Sequence, residues 1–184
     1  KESVAILARI AGLDPWSERS NGASSKETDS ELEDICERRW VGSVQNKAAL
    51  YYHSRLTPKA REFLKENYGF TDDTIPLESI GWCDGTFVEH LAGAVPPERL
   101  LATGMFRPSR NGDRLFEVHE GRLTFPYHQK GIAAYMISRR VPDLTPDTEW
   151  QKQKYKKSLV HSERNPYVSK FVCNDIFNGE DSLS

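Results

Sequence analysis

Apolar residues recur every three or four positions between residues 32 and 51, and this spacing constrains the fold more than any other feature of the sequence. The members of this stripe are Leu32, Ile35, Cys36, Trp40, Val44, Ala48 and Tyr51. Such a period places them on one face of a helix of about six turns. We predict that the helix begins at an N-cap formed by Asp29 or Ser30 and ends near Ser54.

Helical signals continue through the first hundred residues. Thr57-Pro58 has the N-cap and proline arrangement that begins a helix, and Asn67 to Gly69 ends it. Upstream, SVAILARIAGLD (residues 3–14) fits a short amphipathic helix, and residues 15–28 are predicted to be a flexible linker because they are rich in Ser, Gly and charge. Further short helices are predicted at 71–78, 84–92 and 96–103.

The second half of the chain has the pattern of strands and turns. Asn111-Gly112 is a strong hairpin signal, and residues 122–127 and 132–139 are typical of two strands joined by a turn at 129–131. Strands that follow a series of helices in this way predict an α+β fold. In it, the helical N-terminal part packs on one face of a small antiparallel sheet.

Positive charge is concentrated in the second half, although the formal net charge is −2 and the pI is about 6.3. Between Arg107 and Lys170 there are 13 Lys and Arg against 7 Asp and Glu, and from Gln151 to Lys170 the ratio is 6 to 1. This balance excludes a bulk polycation. Any affinity for a polyphosphate backbone must therefore come from the local cluster.

The segment QKYKKS, residues 153–158, places three lysines around Tyr155. Ammonium groups bind phosphates, and an exposed ring stacks on unpaired bases with about 1–3 kcal/mol per base. The segment therefore favours single-stranded nucleic acid over duplex. The alternative is a solvated loop that keeps the protein soluble. For Arg139-Arg140, at the end of a predicted strand, the alternative is a charge that protects a sheet edge.

No motif of a metal or catalytic site is present in the sequence. The chain has three widely spaced cysteines, Cys36, Cys83 and Cys173. Their spacing predicts reduced thiols in a cytoplasmic protein. The histidines form no HExxH-like frame and are interpreted as surface or half-buried structural residues, and the pairs Asp72-Asp73 and Asp143/Asp147 as a helix cap and a loop. No apolar run reaches the roughly 18 residues of a membrane span, so no membrane partner is expected.

The order of the segments resembles that of bacterial-type DNA primases of the DnaG class, over most of the chain. GIAAYMISRR (131–140) is similar to the family strand that ends in Gly-Phe-Gly-Gly-Arg, and QKYKKS to the family motif Pro-Lys-Tyr-Leu-Asn-Ser. Four further stretches follow the family order: AREFLKENYGFTDDTIPLESIGW, DGTFVEHL, ERLLATGMFRPSRNGDRLFEVHEGRLTFP and IFNGEDS. Each motif is weak singly, and together in this order they are fairly specific.

The resemblance implies a domain organisation. Residues 29–178 would form the N-terminal subdomain of the primase catalytic core. Residues 1–14 would end an upstream zinc-ribbon module, residues 15–28 would be the linker, and residues 179–184 would lead to a Toprim domain outside this chain. Because the chain lacks an initiator Met, Lys1 is expected to be a cut point inside a longer protein. The departures from the family pattern indicate that this protein is a divergent member, such as one from a phage or plasmid.

The resemblance also implies which residues bind template or nucleotide phosphate. They are Arg122, Arg139, Arg140, Lys154, Tyr155, Lys156, Lys157 and Ser158. No catalytic residue and no metal ligand is expected in this chain. Several residues depart from the family pattern: Val118 and Glu120 replace arginines, Ile137-Ser138 replaces Gly-Gly, Gln153 replaces the proline and Lys157 the asparagine.

A primase would use this region to bind single-stranded DNA template, the RNA–DNA hybrid and NTPs in a basic groove during RNA primer synthesis. Its nucleotidyltransferase chemistry would need Mg²⁺ or Mn²⁺ in the Toprim domain, and Zn²⁺ in the upstream module, so this chain alone is expected to be inactive. A replicative helicase is the expected partner of the parent, in the cytoplasm at the nucleoid replication fork or in a phage-infected cell.

Two other classes of protein remain open. One is a non-catalytic replication module that binds single-stranded nucleic acid or loads a helicase. The other is a helical interaction protein in which the 32–51 stripe is a coiled-coil seam, although that stripe is shorter than the three to four heptads such a seam needs.

Overall fold

The computed structural model describes residues 25–129 and 131–172, which alternate between helices and antiparallel strands. The helices are α1 Ser25–Ser54, α2 Pro58–Tyr68, α3 Thr74–Leu77, α4 Phe87–His90 and α5 Pro97–Ala102, with a 3-10 turn at Glu149–Gln151. The strands are β1 Gly81–Cys83, β2 Phe106–Pro108, β3 Leu115–Glu117, β4 Arg122–Gln129, β5 Ile132–Arg139 and β6 Tyr155–Lys157. The α+β prediction is confirmed. The predictions for residues 1–14, for residues 15–24 of the linker and for residues 179–184 lie outside the described residues.

The chain divides into two compact units, residues 1–34 and residues 35–184. In the first unit, the described residues 25–34 are helical. This corrects two predictions, because residues 25–28 were assigned to the linker and the N-cap was placed at Asp29 or Ser30. The segment from Ser25 to Ser30 contains no glycine or proline, so nothing in it stops the helix from extending upstream.

Only the second half of the predicted apolar stripe on α1 is buried. Leu32 and Ile35 are 52% and 46% exposed, and Cys36 is also exposed. From residue 41 onward the helix packs against the rest of its unit, with Val41, Val44, Ala48, Ala49 and Tyr52 in the core. The predicted helix is therefore present, but the first three members of its apolar stripe, Leu32, Ile35 and Cys36, are exposed.

The main sheet has four antiparallel strands in the order β1-β4-β5-β6. The predicted strands at 122–127 and 132–139 are confirmed as β4 and β5, and the Asn111-Gly112 hairpin is confirmed as a separate pair, β2 and β3. The predicted short helices are present as α3, α4 and α5, each shorter than expected. The outer strands β1 and β6, each of three residues, were not predicted.

Helices cover both faces of the sheet, which corrects the prediction of cover on one face. Side chains alternate between the faces along each strand. Cys83 and Met136 pack with α1 and α4, whereas Trp82 and Leu123 on the opposite face pack with α2. The second face continues beyond α2 along β5 and β6, where it carries the candidate site.

A buried carboxylate joins three of these elements. The Tyr52 hydroxyl and the Cys83 thiol donate to Oε2 of Glu117 at 2.6 and 3.1 Å, and the Val88 N–H donates to Oε1 at 2.9 Å. Burial, together with the nearby Glu117, raises the pKa of the Cys83 thiol well above its ordinary value. Cys83 is therefore a protonated structural thiol, as predicted, and Cys36 is also free.

Among the residues that the structure describes, none of the helices has the length and apolar character required to cross a bilayer.

Candidate nucleic-acid interface

The lysine-rich segment forms β6 at the end of the sheet, and the pleat of the strand divides its side chains between two faces. Tyr155 and Lys157 pair with Arg139 and Ile137 of β5, and Lys156 pairs with Ser138. Since successive side chains point to opposite faces, Tyr155 and Lys157 lie on one face and Lys156 on the other. The cluster in the sequence is therefore two separate surfaces in the fold.

One surface, called the Tyr155 face, consists of Phe63, Tyr68, Arg139, Lys154 and Tyr155. The guanidinium carbon of Arg139 lies 5.0 Å from the ring centroid of Tyr155, 6.0 Å from that of Tyr68 and 5.8 Å from that of Phe63. The Lys154 ammonium lies 5.5 Å from the Tyr155 ring. These distances are within the range of cation–π contacts, which place positive charge next to flat apolar rings.

The two tyrosines of this face remain open to solvent. Tyr155 is 47% exposed and Tyr68 is 40% exposed. Burial and its hydrogen bond to Tyr155 raise the pKa of Tyr68 to about 12, while the same hydrogen bond lowers the pKa of Tyr155. Tyr68 is thus neutral at physiological pH, and the exposed parts of both rings can stack on a base.

A basic cleft of about 330 Å³ continues from the Tyr155 face. It is lined by Arg139, Arg140, Pro142, Asp143, Lys152 and Lys154. Arg140 pairs with Asp147 at 3.0 Å and Lys152 with Glu149 at 2.5 Å. Arg139 and Lys154 make no ion pair within residues 25–129 and 131–172, so their charges are free to bind an anion.

Arg122 lies inside the protein, contrary to the prediction that it binds template or nucleotide phosphate. Its side chain is fully buried. The guanidinium donates to Gln151 Oε1 at 2.6 Å and to the carbonyl oxygens of Gln151 at 2.8 Å, Gln153 at 2.7 Å and Lys154 at 3.4 Å. Burial lowers its pKa to about 10, so it stays charged at neutral pH. Arg122 therefore holds the main chain that carries Lys154 and Tyr155.

Ser158 also differs from the prediction, because it is buried beneath the sheet. Its hydroxyl donates to the Met136 carbonyl at 3.2 Å and lies 3.1 Å from Nε2 of His119. His119 Nδ1 lies 2.9 Å from the Ser138 hydroxyl. With Ser158 donating to Met136, the Nε2–H of His119 donates to Ser158, and Ser138 donates to Nδ1. His119 is structural, as predicted, but fully buried where a surface or half-buried position was predicted.

The buried His119 predicts a loss of stability in mild acid. Burial and the charges of Lys156 and Arg122 lower its pKa to about 3, from 6.5. Because the unfolded chain binds the proton more tightly, this stability is fully present above pH 6.5 and is lost as the pH falls towards 3. We expect the free energy of unfolding to fall by about 2 kcal/mol between pH 7 and pH 5, measured by urea denaturation.

The matched control is His119→Gln, which cannot titrate but keeps an amide donor and acceptor between the two serines. The comparison is between the changes in the free energy of unfolding from pH 7 to pH 5, so it does not require the two proteins to be equally stable at pH 7. An equal decrease in both proteins between pH 7 and pH 5 would show that His119 does not cause the acid sensitivity.

The structure brings four of the eight predicted residues together around the basic cleft and the Tyr155 face: Arg139, Arg140, Lys154 and Tyr155. Lys157 is exposed on the same face of β6 as Tyr155. Lys156 lies on the opposite face, with its ammonium 3.9 Å from the ring of Trp150. Arg122 and Ser158 are buried.

Sequence reasoning missed Tyr68, Phe63 and Lys152. Tyr68 is the last residue of α2 before the left-handed Gly69, so its position at a helix end was visible in the sequence. Its approach to Tyr155 depends on how α2 packs on the sheet, which no local pattern encodes. Within the described part of the chain, no group of three or more His, Cys, Asp or Glu is placed to hold a metal ion.

Several solved structures that are similar to this chain are primase domains. A DnaG primase catalytic domain bound to ssDNA matches 68% of this chain and 39% of its own length, with 22% identity and a TM-score of 0.53. The RNA polymerase domain of Mycobacterium tuberculosis DnaG in complex with double-stranded DNA matches 66% of this chain and 39% of its own, with 23% identity and a TM-score of 0.56. No family model and no curated protein matches the sequence.

A third structure covers more of the chain. The Aquifex aeolicus primase, with zinc-binding and RNA polymerase domains, matches 86% of this chain and 35% of its own, with 16% identity and a TM-score of 0.56. This chain is thus a divergent domain with the α+β fold of DnaG primase catalytic cores. It spans about two-fifths of the length of the primase structures it matches.

Proposed function

We propose that this chain is the part of a DnaG-type primase that binds single-stranded DNA template. The observation that carries the proposal is the convergence of Arg139, Lys154 and Tyr155 with Tyr68 on one exposed face. The basic cleft beside this face would bind the phosphates, and the two tyrosine rings would stack on unpaired bases. This division between charge and ring is what single-strand binding surfaces use.

Two features of the site support a polynucleotide as the ligand. Arg139 and Lys154 have no carboxylate partner among the described residues, so phosphates would neutralise them. The ring of Tyr155 is almost half exposed beside them, where a solvated loop would need no aromatic residue. Two of the primase domains that share this fold were solved with single-stranded or double-stranded DNA.

In the parent primase, this domain would position the template, the RNA–DNA hybrid and the incoming NTP. Transfer of a nucleotide would use Mg²⁺ or Mn²⁺ held by a Toprim domain outside this chain. The residues of this chain would hold the template phosphates and screen their charge, while a helicase and a zinc module would act through other parts of the parent. Primer synthesis by residues 1–184 alone would contradict this division of roles.

The site predicts how binding depends on salt. For a single strand, each phosphate contact contributes about −0.7 to the slope of log affinity against log salt concentration. Replacing Lys154 and Lys157 by alanine should therefore weaken binding to oligodeoxythymidylate. It should also make that slope shallower by roughly 1.4, because two contacts are lost. Fluorescence anisotropy titrations at several salt concentrations measure both quantities. An unchanged slope would place the phosphate contacts elsewhere.

Two comparisons complete this experiment. Lys47→Ala with Arg164→Ala removes the same charge from exposed positions outside the site, and it should leave the slope close to that of the wild type. Tyr155→Ala should reduce affinity by about 1–3 kcal/mol with little change in slope, because it removes a stacking ring and no charge. A Tyr155→Ala protein with unchanged affinity would show that the ring does not bind bases.

A further inference from the structure

The opposite face of β6 carries a second group of cations and rings, here called the Trp150 patch. It consists of Arg107, Arg114, Phe116, Trp150 and Lys156. The Trp150 ring lies 3.9 Å from the Lys156 ammonium and 5.4 Å from the Arg107 guanidinium, and Arg114 lies 4.6 Å from the ring of Phe116. Arg107 and Phe116 are paired across β2 and β3, which makes the patch continuous.

We propose that a single strand bound on the Tyr155 face continues around β6 and is bound again on the Trp150 patch. This inference rests on the proposed function and extends it, because it assigns the same ligand a second contact on the other face of the sheet. Lys156 and Arg107 would bind phosphates there, and the exposed part of the Trp150 indole would contact a base.

The position of β6 supports one continuous path. β6 is the last strand in the sheet order, so among the described residues no further strand of the sheet lies beyond it. Tyr155 and Lys156 are consecutive residues of this strand, and their side chains point to opposite faces. A flexible polymer that leaves the ring of Tyr155 can therefore reach Lys156 by turning around a single strand.

The charge of the patch favours a polyanion over a protein segment or an apolar ligand. Arg107 and Lys156 face one half-buried carboxylate, Glu120, whose own pKa is raised by burial and by Glu117, and the third cation, Arg114, lies near the exposed carboxylate of Asp113. Burial, and after it repulsion by the charges of Arg122 and Arg107, lowers the pKa of Lys156 to about 8. A bound phosphate would offset that repulsion.

Trp150 is more exposed than it would be if its ring served only to pack against Lys156 and Arg107. The indole is 40% exposed although Lys156 and Arg107 both lie over it. A fully buried indole could make the same contacts with these two cations. The exposed part of the ring leaves room for a base, and tryptophan supplies the strongest aromatic surface for contacts with cations and bases.

The test uses the full chain and oligodeoxythymidylates from about 4 to about 16 nucleotides, which is the range of site sizes of small single-strand binding domains. Trp150→Ala should bind the shortest oligonucleotide as well as the wild type does, because that oligonucleotide occupies only the Tyr155 face. It should bind the longest one about 5- to 30-fold more weakly. Trp150→Phe keeps a ring and should restore most of the affinity.

Intrinsic fluorescence gives a second, independent readout. Long oligonucleotides should quench the tryptophan emission of the wild type more than short ones do, and Trp150→Phe should lose this length-dependent part. Equal affinities of Trp150→Ala and wild type at every length, with no length-dependent quenching, would overturn the inference. If Tyr155→Ala weakened binding at every length in the same series, the proposed function would stand without it, whereas no effect of Tyr155→Ala at any length would overturn the proposed function itself.

Discussion

Replacement of Arg122 by methionine is expected to lower the free energy of unfolding by about 3 kcal/mol. Methionine fills much of the same volume but donates no hydrogen bond. The Oε1 atom and the carbonyl oxygen of Gln151, which now accept from the guanidinium at 2.6 and 2.8 Å, would lose this donor in the interior. Each buried acceptor left without a partner costs about 1–3 kcal/mol. Urea denaturation measures the change in the free energy of unfolding.

Two comparisons separate this role from direct binding of a ligand. An exposed arginine that only contacts phosphate would change stability by no more than about 0.5 kcal/mol when replaced. Arg122→Lys keeps the charge but lacks the planar group of five N–H donors, so its stability should lie between those of methionine and the wild type. If Arg122→Met unfolded at the same urea concentration as the wild type, the guanidinium would not support this loop.

Replacement of Gly81 by alanine is expected to destabilise the fold by about 3 kcal/mol, at the upper end of the range for overpacked positions. A Cβ atom at residue 81 would lie 2.2 Å from the carbonyl carbon of Tyr52 and 2.4 Å from the backbone nitrogen of His53. Both are main-chain atoms of α1, so neither can rotate away. The helix would have to move off β1, which would be measured as a lower midpoint of thermal and urea unfolding.

Gly42→Ala, in α1, the helix that Gly81 contacts, is the matched control. A Cβ there would approach only Cγ2 of the Ile132 side chain, at 2.7 Å, and that side chain can change its rotamer. Alanine also has a higher helix propensity than glycine by about 1 kcal/mol. Gly42→Ala should therefore be neutral or stabilising. Equal destabilisation by both substitutions would show that close packing of α1 on β1 is not the cause.

The sequence was most informative where a local pattern determines the structure. Asn111-Gly112 predicted the β2–β3 hairpin, and alternating residues between 122 and 139 predicted β4 and β5, because turn chemistry and strand period are local properties. The outer strands β1 and β6 were missed because three residues are too few to show a period. In β6, two of the three residues are lysines, which are uncommon in strands.

The site was predictable only in part, because charge and residue type do not reveal burial. Arg122 and Arg139 are both arginines of the two long strands, yet Arg122 is fully buried against the 151–154 main chain and Arg139 reaches the Tyr155 ring. Likewise, the QKYKKS segment identified Tyr155 but not Tyr68, its partner from α2, 87 positions earlier in the chain. Such pairings arise from tertiary packing, which a single sequence does not display.

The hydrogen bonds of Arg122 have a consequence for adaptation of the binding surface. They run mainly to carbonyl oxygens, which every amino acid possesses, so the path of the 152–154 segment does not depend on which side chains it carries. Mutation can then exchange Lys152, Gln153 or Lys154 while the backbone stays in place. Evolution or protein engineering can therefore change ligand preference through these side chains without changing the backbone of the segment.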